Sequence, residues 1–271
     1  MADLRMFDDT EWLYAPDEVY ARRAGVTLKM QLIYPRRHVW AADERFPVVV
    51  YIPGAAWRQQ DMYSSVPQWA KLAERGMVVA AVQVRASTEA CFPAQTTDVM
   101  DAIRALARDA ARWHIDPHRM YLMGASSGGH LALMTMLMRM QELAQAPDFT
   151  LRGVIAQSAP TDLWRCGEKP TLDLLGLRQL AEDPEAVRDA SCGAYIRREV
   201  PLPRILLMHG TADDVVPPGA QRPAAPAAHG GGQGGTLHQD ERGGPWRRAL
   251  LAGAGAGQRG RLCAGSLMHF D

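Results

Sequence analysis

Residues 119–138 read RMYLMGASSGGHLALMTMLM, a strand pattern joined to a helix pattern by a glycine-rich turn. Arg119–Met123 predicts a short buried strand, and Ser127–Leu143 predicts a helix. The turn between them has the spacing G-x-S-x-G, with Ser126 at its centre. At a strand-to-helix turn this spacing is typical of a strained serine whose hydroxyl projects above a sheet, next to a helix N-terminus. The stretch therefore predicts both an α/β fold and a candidate nucleophile.

Outside this stretch, the first 218 residues alternate strand patterns with helix patterns. The strand patterns are Val26–Tyr34, Pro47–Ile52, Met77–Val84, Leu151–Gln157 and Arg204–Met208, and the helix patterns are Val66–Arg75 and Thr97–Trp113. Strands that alternate with helices predict an α/β fold with a mostly parallel, doubly wound sheet. Residues 160–200 show mixed helical patterns without a clear strand, which predicts a small insertion over the sheet edge.

Ser127 is the alternative nucleophile in the central turn. It fits the pattern less well, because Ala125 occupies the position two residues before it, where the pattern needs glycine. The Ser127 backbone N–H is instead a candidate donor to a developing oxyanion. A plain glycine-rich connection without catalytic function is the other interpretation of this turn.

Two further strand ends carry residues that suit the same chemistry, since ligands of α/β sheets bind at the carboxyl ends of the strands. Ala55 and Ala56 follow Pro47–Ile52 and have little side chain to shield their amides, although an ordinary Pro-Gly turn would look similar. Asp213 follows Arg204–Met208 and agrees with the chain order Ser…Asp…His of a catalytic triad. Asp214 is the alternative carboxylate, or a neighbour that caps the turn.

Composition excludes several classes of protein. The 271 residues carry 30 basic and 30 acidic side chains, and this zero net charge argues against a nucleic-acid partner. The chain has no apolar run of the length that crosses a membrane, and its acidic N-terminus does not resemble a signal peptide, so we expect a cytoplasmic protein. Cys91, Cys166, Cys192 and Cys263 lack metal-ligand spacing and are interpreted as free thiols.

The composition changes after Val216, beyond which neither Val nor Ile occurs. Residues 219–271 hold 13 of the 24 glycines and no lysine, a composition that cannot easily bury a core. We therefore expect a core at residues 1–218, with a cap insertion at about 160–200, and an atypical Gly/Ala/Arg-rich segment at 219–271. Disorder would explain that segment. So would a shifted reading frame in a GC-rich gene, which the chain's 27 Arg and three Lys suggest.

Three segments together resemble the α/β-hydrolase fold: YIPGAAW at residues 51–57, the block at residues 85–132, and PLPRILLMHGTADDVVP at residues 201–217. The closer likeness is to small esterases of the acetyl-esterase, feruloyl-esterase and hormone-sensitive-lipase-like group. The resemblance implies the following roles: Ser126 as nucleophile, Asp213 as triad acid, the amides of Ala55, Ala56 and Ser127 as oxyanion hole, and Trp57, Gln60 and Ser87 as substrate-binding residues near the site mouth. It also implies that Asp98 and Asp116 are structural.

The chain departs from this family where the catalytic histidine is expected. The family places it about 30 residues past the acid, and Arg242 stands at the matching position here. The candidates are His229, His238 and His269, which lie 16, 25 and 56 residues beyond Asp213. His238 has the nearest spacing, yet it belongs to a segment that resembles the last strand.

The resemblance predicts a serine carboxylesterase that hydrolyses small acyl esters through an acyl-enzyme, with acetyl or aromatic acyl groups as candidate substrates. Its partner would be a small-molecule ester, and neither a cofactor nor a metal is expected. The alternative is a non-catalytic or inactivated protein of this fold that binds a ligand in the same pocket. A peptidase is weaker, because no propeller domain precedes the hydrolase part, and the sequence does not predict an oligomeric state.

Overall fold

A mixed sheet forms the centre of the molecule. The computed structural model describes residues 10–37, 44–166, 168–196, 204–210, 213, 215–216 and 236–240, with the backbone alone at residues 10, 37 and 236–240. The strands are β1 (Thr10–Arg23), β2 (Val26–Arg37), β3 (Phe46–Ile52), β4 (Val78–Val82), β5 (Ile115–Ala125), β6 (Leu151–Gln157), β7 (Ile205–Gly210) and β8 (Thr236–Asp240). Their order across the sheet is β1-β2-β4-β3-β5-β6-β7-β8. Pairing is antiparallel from β1 to β4 and parallel from β4 to β8.

Helices cover both faces of this sheet. They are α1 (Val66–Ala73), α2 (Ala94–Arg108), α3 (Ser127–Met138), α4 (Met140–Ala144), α5 (Glu168–Leu175) and α6 (Pro184–Asp189). Along β3, Val48 and Val50 pack into the large cluster with α2 and α3, whereas Val49 and Tyr51 pack into a smaller cluster with α1. Because successive strand side chains point to opposite faces, a strand that is apolar at every position is buried on both sides. The predicted doubly wound α/β architecture is confirmed.

Several predicted boundaries differ from the structure. β1 was not predicted, because its proline and charged residues are not typical of a strand. The structure places β1 at the sheet edge, where proline is tolerated. The helix predicted over Thr97–Trp113 begins earlier and ends at Arg108, where the backbone N–H of Asp109 caps it. The helix predicted over Ser127–Leu143 is interrupted at Arg139.

The stretch predicted to be an insertion, residues 160–166 and 168–196, contains α5, α6 and three short 3₁₀ turns, and these elements agree with its helical sequence patterns. It contacts the loops that follow β3 and β4. Arg58 donates to Asp173 at 2.8 Å, and the Phe92 N–H donates to the Leu174 carbonyl at 3.0 Å. The segment therefore lies at the carboxyl edge of the sheet, next to the turn that carries Ser126.

None of the helices in the described part of the chain has both the length and the apolar composition that crossing a bilayer requires. Cys91 and Cys192 are free thiols, as predicted, and Cys263 lies outside the described residues. The described ranges also contain no cluster of three or more His, Cys, Asp or Glu side chains arranged to hold a metal ion.

Candidate active site

Ser126 occupies a sharp turn between β5 and α3. Its backbone has φ 52° and ψ −127°, a conformation that a residue with a side chain rarely adopts. The turn can close this tightly because Gly124 and Gly128 have no Cβ. A Cβ at Gly124 would lie 2.3 Å from the Gly128 carbonyl oxygen, and one at Gly128 would lie 2.0 Å from the Ile52 carbonyl oxygen. The Ser126 N–H donates to the Gln157 carbonyl at 2.8 Å. The strained strand–turn–helix that the sequence predicts is thus present, with Ser126 half-buried at the helix N-terminus.

The loop after β3 lies directly against this turn. A Cβ at Gly54 would lie 2.5 Å from the Ala125 carbonyl oxygen, so only glycine allows the two backbones to approach this closely. The Ala55 N–H donates to the Ser127 hydroxyl at 3.0 Å, so in this structure it is not directed to an open oxyanion position. The Ala56 N–H makes no hydrogen bond within the described residues, and the Ser127 N–H belongs to the first helical turn, whose donors have no intrahelical partner.

Trp57, predicted to lie near the site mouth, is a buried residue. Its side chain is 2% exposed, and the indole N–H donates to Nδ1 of His130 at 3.1 Å. Nε2 of His130 is 2.8 Å from the Ala190 carbonyl oxygen in the insertion. The indole is enclosed because it packs edge-on against the imidazole, with ring centroids 5.3 Å apart.

Gln60 and Ser87 are also buried, and each lies near the loop after β3. Oε1 of Gln60 accepts from the Val84 N–H at 3.2 Å, and the residue borders a polar cleft of about 320 Å³ that Gln59, Tyr63 and Lys29 also line. The Ser87 N–H donates to the Trp57 carbonyl at 2.7 Å. The Ser87 hydroxyl is buried with no hydrogen-bond partner in the described ranges.

Asp213 lies beyond β7, on the other side of Ser126 from the cleft. Its Oδ1 accepts from the Val215 and Val216 N–H groups at 3.0 and 2.9 Å, and its Oδ2 is 3.6 Å from Nε2 of His209. Burial raises the pKa of Asp213. Hydrogen bonds from Val216, the Ser158 hydroxyl and Val215, together with His209, outweigh that effect and place the pKa below its usual value. Asp213 is therefore a carboxylate at neutral pH.

His238 lies within β8, and the sequence likewise suggests that residues 236–239 form the last strand of the family. The sheet register aligns Ala125 with Gln157, Gln157 with Met208, and Met208 with His238. The His238 backbone is therefore level with the residue before Ser126, three strand spacings of about 4.8 Å from β5, roughly 14 Å in all. Asp214, His229, Arg242 and His269 lie outside the described residues.

Sequence reasoning missed His130, Ser158 and His209 as parts of this region. His130 stands four residues after Ser126, in the segment GGH, and its apolar neighbours suggest no polar role. Ser158 follows β6 with φ 46°, and strain of this kind is invisible in the sequence. His209 immediately follows Arg204–Met208, and that position was the available signal.

Comparison with known proteins bears on residues 35–222, which the profile of the BD-FAE family matches. This range spans β3 to β7 and includes Ser126 and Asp213. The chain belongs to the BD-FAE family. The match begins within β2 and ends at residue 222, near the start of the atypical segment at 219–271. It includes the three sequence segments that resemble the α/β-hydrolase fold.

Individual relatives of this BD-FAE chain include named esterases. Esterase LipQ of Mycobacterium tuberculosis is 26% identical over 199 residues, which cover 69% of this chain and 47% of that protein. A probable isoprenylcysteine alpha-carbonyl methylesterase ICME of Oryza sativa subsp. japonica is 24% identical, over 63% of this chain and 44% of that protein. The chain spans less than half the length of these two relatives.

Solved structures show the same fold. Esterase 2 of the Planctomycetes species Thermogutta terrifontis superposes with a TM-score of 0.57 at 26% identity, over 75% of this chain and 72% of that chain. A truncated carbohydrate esterase from gut microbiota superposes with a TM-score of 0.66 at 24% identity, over 79% of this chain and 82% of that chain. The α/β-hydrolase fold is thus shown both by the sheet and by these neighbours.

Proposed function

We propose that this chain is a serine carboxylesterase that hydrolyses small acyl esters, including acetyl and aromatic acyl esters. The observation that carries the proposal is the strained backbone of Ser126 at the N-terminus of α3, where the N–H groups of the first helical turn have no intrahelical partner. Relatives whose names describe them as esterases support the same reaction class. The substrate would be a small diffusible ester in the cytoplasm.

In the proposed reaction, Oγ of Ser126 attacks the ester carbonyl carbon while a histidine takes the hydroxyl proton. The carbonyl oxygen becomes an oxyanion that the Ala56 and Ser127 N–H groups stabilise. The C–O bond to the alcohol then breaks, and the histidine returns the proton to the departing alcohol. A water molecule then attacks the carbonyl carbon of the acyl-enzyme while the histidine takes its proton. The bond to Oγ of Ser126 breaks, the histidine returns the proton to Ser126, and the acid is released. Neither a cofactor nor a metal takes part in these steps.

Asp213 would orient the histidine and stabilise its protonated form, since its lowered pKa keeps it charged. His238 is the candidate base, because its spacing from Asp213 is nearest to the family's pattern. We propose residues 1–218 as the hydrolase core and the insertion at about 160–200 as a cap over the acyl or alcohol pocket. Apart from β8, the atypical segment at 219–271 lies outside the described residues.

A non-catalytic ligand-binding protein is the second candidate. The position of the His238 backbone favours this second candidate. His238 belongs to β8, roughly 14 Å from β5, whereas the family's histidine lies in a loop that follows the last strand. The two candidates differ in one property, the presence of a base that activates Ser126.

A fluorophosphonate probe tests the nucleophile. We expect labelling of the natural chain and none of Ser126→Ala, whereas Ser127→Ala, which removes a neighbouring hydroxyl, keeps most of the label. Undiminished labelling of Ser126→Ala would show that the nucleophile has been assigned to the wrong residue.

Hydrolysis of p-nitrophenyl acetate and butyrate tests the base. If His238 serves, turnover is strong, and His238→Ala abolishes it while His229→Ala and His269→Ala do not. Without a base, the oxyanion hole leaves only about 10³–10⁴-fold acceleration over water, and turnover is weak. Strong turnover that survives all three substitutions would contradict the triad mechanism.

A further inference from the structure

Two consecutive residues of the loop after β3 have left-handed backbones. Ala56 has φ 50° and Trp57 has φ 58°, values that are uncommon for alanine and unfavourable for a residue as bulky as tryptophan. Such strain persists only where surrounding contacts hold the chain in place. The amide of Ala56 is one of the two proposed oxyanion donors, so whatever holds this strain also places that donor.

One of the contacts that hold the loop is made by a buried imidazole. The Trp57 indole donates to Nδ1 of His130, which is fully buried on the first turns of α3. On the same helix, the Ser127 hydroxyl accepts from the Ala55 N–H, and the His130 N–H donates to the Ser126 carbonyl at 3.1 Å. The loop and the elbow are therefore connected through side chains 73 residues apart in sequence.

The tautomer of His130 follows from its partners. An indole nitrogen can only donate, so Nδ1 must be the acceptor, and Nε2 must carry the hydrogen that it donates to the Ala190 carbonyl. Burial lowers the pKa of His130 to about 4, although the Ala190 contact opposes this, so the ring is neutral at pH 7. With both nitrogens engaged, His130 is not available as the base for Ser126, although it lies only four residues away.

We propose that His130 is a positioning residue of the esterase site: by accepting from Trp57 it holds the strained loop, and hence the Ala56 amide, in the place where the oxyanion forms. This inference rests on the proposed function. Its bond to Ala190 also ties the same ring to the cap insertion, but the route to the oxyanion donor runs through Trp57.

A pair of amide variants separates the two bonds of the ring. In His130→Asn the side-chain oxygen stands where Nδ1 was and can accept from Trp57, whereas in His130→Gln the side-chain nitrogen stands where Nε2 was and can donate to Ala190. Loss of one oxyanion donor typically lowers the rate by about 10²–10³-fold. We therefore expect the fluorophosphonate labelling rate to fall at least tenfold in His130→Gln and to stay within about threefold of the natural chain in His130→Asn.

A tryptophan pair serves as the matched control and remains informative if the histidine variants do not fold. Trp57 and Trp69 are both 2% exposed, but the Trp69 indole N–H has no hydrogen-bond partner within the described ranges, and its ring packs against Tyr51. Trp57→Phe should slow labelling at least tenfold, and Trp69→Phe should leave it unchanged, with both melting temperatures recorded. A purely structural role would move the melting temperatures and leave the labelling rates of folded protein alone.

The tautomer is measured independently by long-range ¹H–¹⁵N correlation spectra of the full chain labelled at histidine, with the His130→Asn spectrum assigning the signal. A neutral ring protonated at Nε2, together with slow labelling of His130→Gln and Trp57→Phe, supports the proposal. Equal rates in the Asn and Gln variants, or a faster Gln variant, overturn it. If the natural chain shows the expected tautomer but Ser126 is never labelled, the proposed function fails, and His130 is left with a structural role only.

Discussion

Around Ser126 the backbone is confined by close steric contacts, whereas around Asp213 it is confined by hydrogen bonds to a single carboxylate. A Cβ at Gly128 would lie 2.0 Å from the Ile52 carbonyl oxygen, and the elbow is further tied to the loop after β3 by the Ser127 hydroxyl. At Asp213, two backbone N–H groups, the Ser158 hydroxyl and His209 converge on the side chain. The nucleophile side should therefore be intolerant of added volume, and the acid side should respond to charge and pH.

The largest expected effect is that of Gly128→Ala. The added methyl group meets backbone atoms that cannot rotate away, so we expect a loss of about 3 kcal/mol or more of unfolding free energy, or no folded protein at all. Gly25→Ala is the control, because its φ of +82° strains the turn but nothing lies within 4 Å of the new Cβ, and it should cost only about 1 kcal/mol. Denaturant unfolding measures both, and equal midpoints would refute the steric account of the elbow.

The next effect is a pH dependence that comes from the elbow side. Because burial places the folded-state pKa of His130 at about 4, below the usual histidine value of 6.5, the unfolded chain binds more protons between those values. Stability is then fully present above pH 6.5 and falls by roughly 3 kcal/mol as the pH is lowered to 4. The unfolding free energy of the natural chain should fall with pH across this range, whereas that of His130→Asn should lack this fall. The same pH dependence in both proteins would contradict a neutral buried ring.

A smaller effect is expected on the acid side. Asp213→Ala leaves the Val215 and Val216 N–H groups without their charged acceptor, which should cost about 2 kcal/mol at pH 7. Since the folded-state pKa is lowered from 3.8, this contribution is present above pH 3.8 and is lost as the pH falls through the folded-state value. The difference in melting temperature between the two proteins should shrink in strong acid, and a difference that does not change would show that the carboxylate charge is not the cause.

Ser127→Ala should have the smallest effect, about 1 kcal/mol, because it removes one hydrogen bond, that to the Ala55 N–H, and creates almost no cavity. Thermal unfolding of this variant beside Ser126→Ala, whose side chain makes no such bond to the loop, provides the comparison. A larger loss in Ser126→Ala would indicate that the loop is held mainly through the nucleophile itself.

The sequence by itself determined the features that depend on neighbouring residues. The alternation of strands and helices predicts the doubly wound sheet, because burial on both faces requires apolar residues at every position of β3 and β4. G-x-S-x-G predicts the elbow, because the close approach within one turn depends on the absence of side chains at Gly124 and Gly128. Helix boundaries were less well predicted, since neither Arg108 nor Arg139 is followed by the glycine or proline that marks a helix end in a sequence.

Only the tertiary structure decided how the elements of the site are connected. Trp57 is buried against His130, and the Ala55 N–H is occupied by Ser127, although 73 and 72 residues separate these partners. The lowered pKa of Asp213 likewise depends on Ser158, which comes from the neighbouring strand's end. Such contacts depend on which strands are adjacent and in what register. Those are properties of the whole sheet, and a local pattern of residues does not contain them.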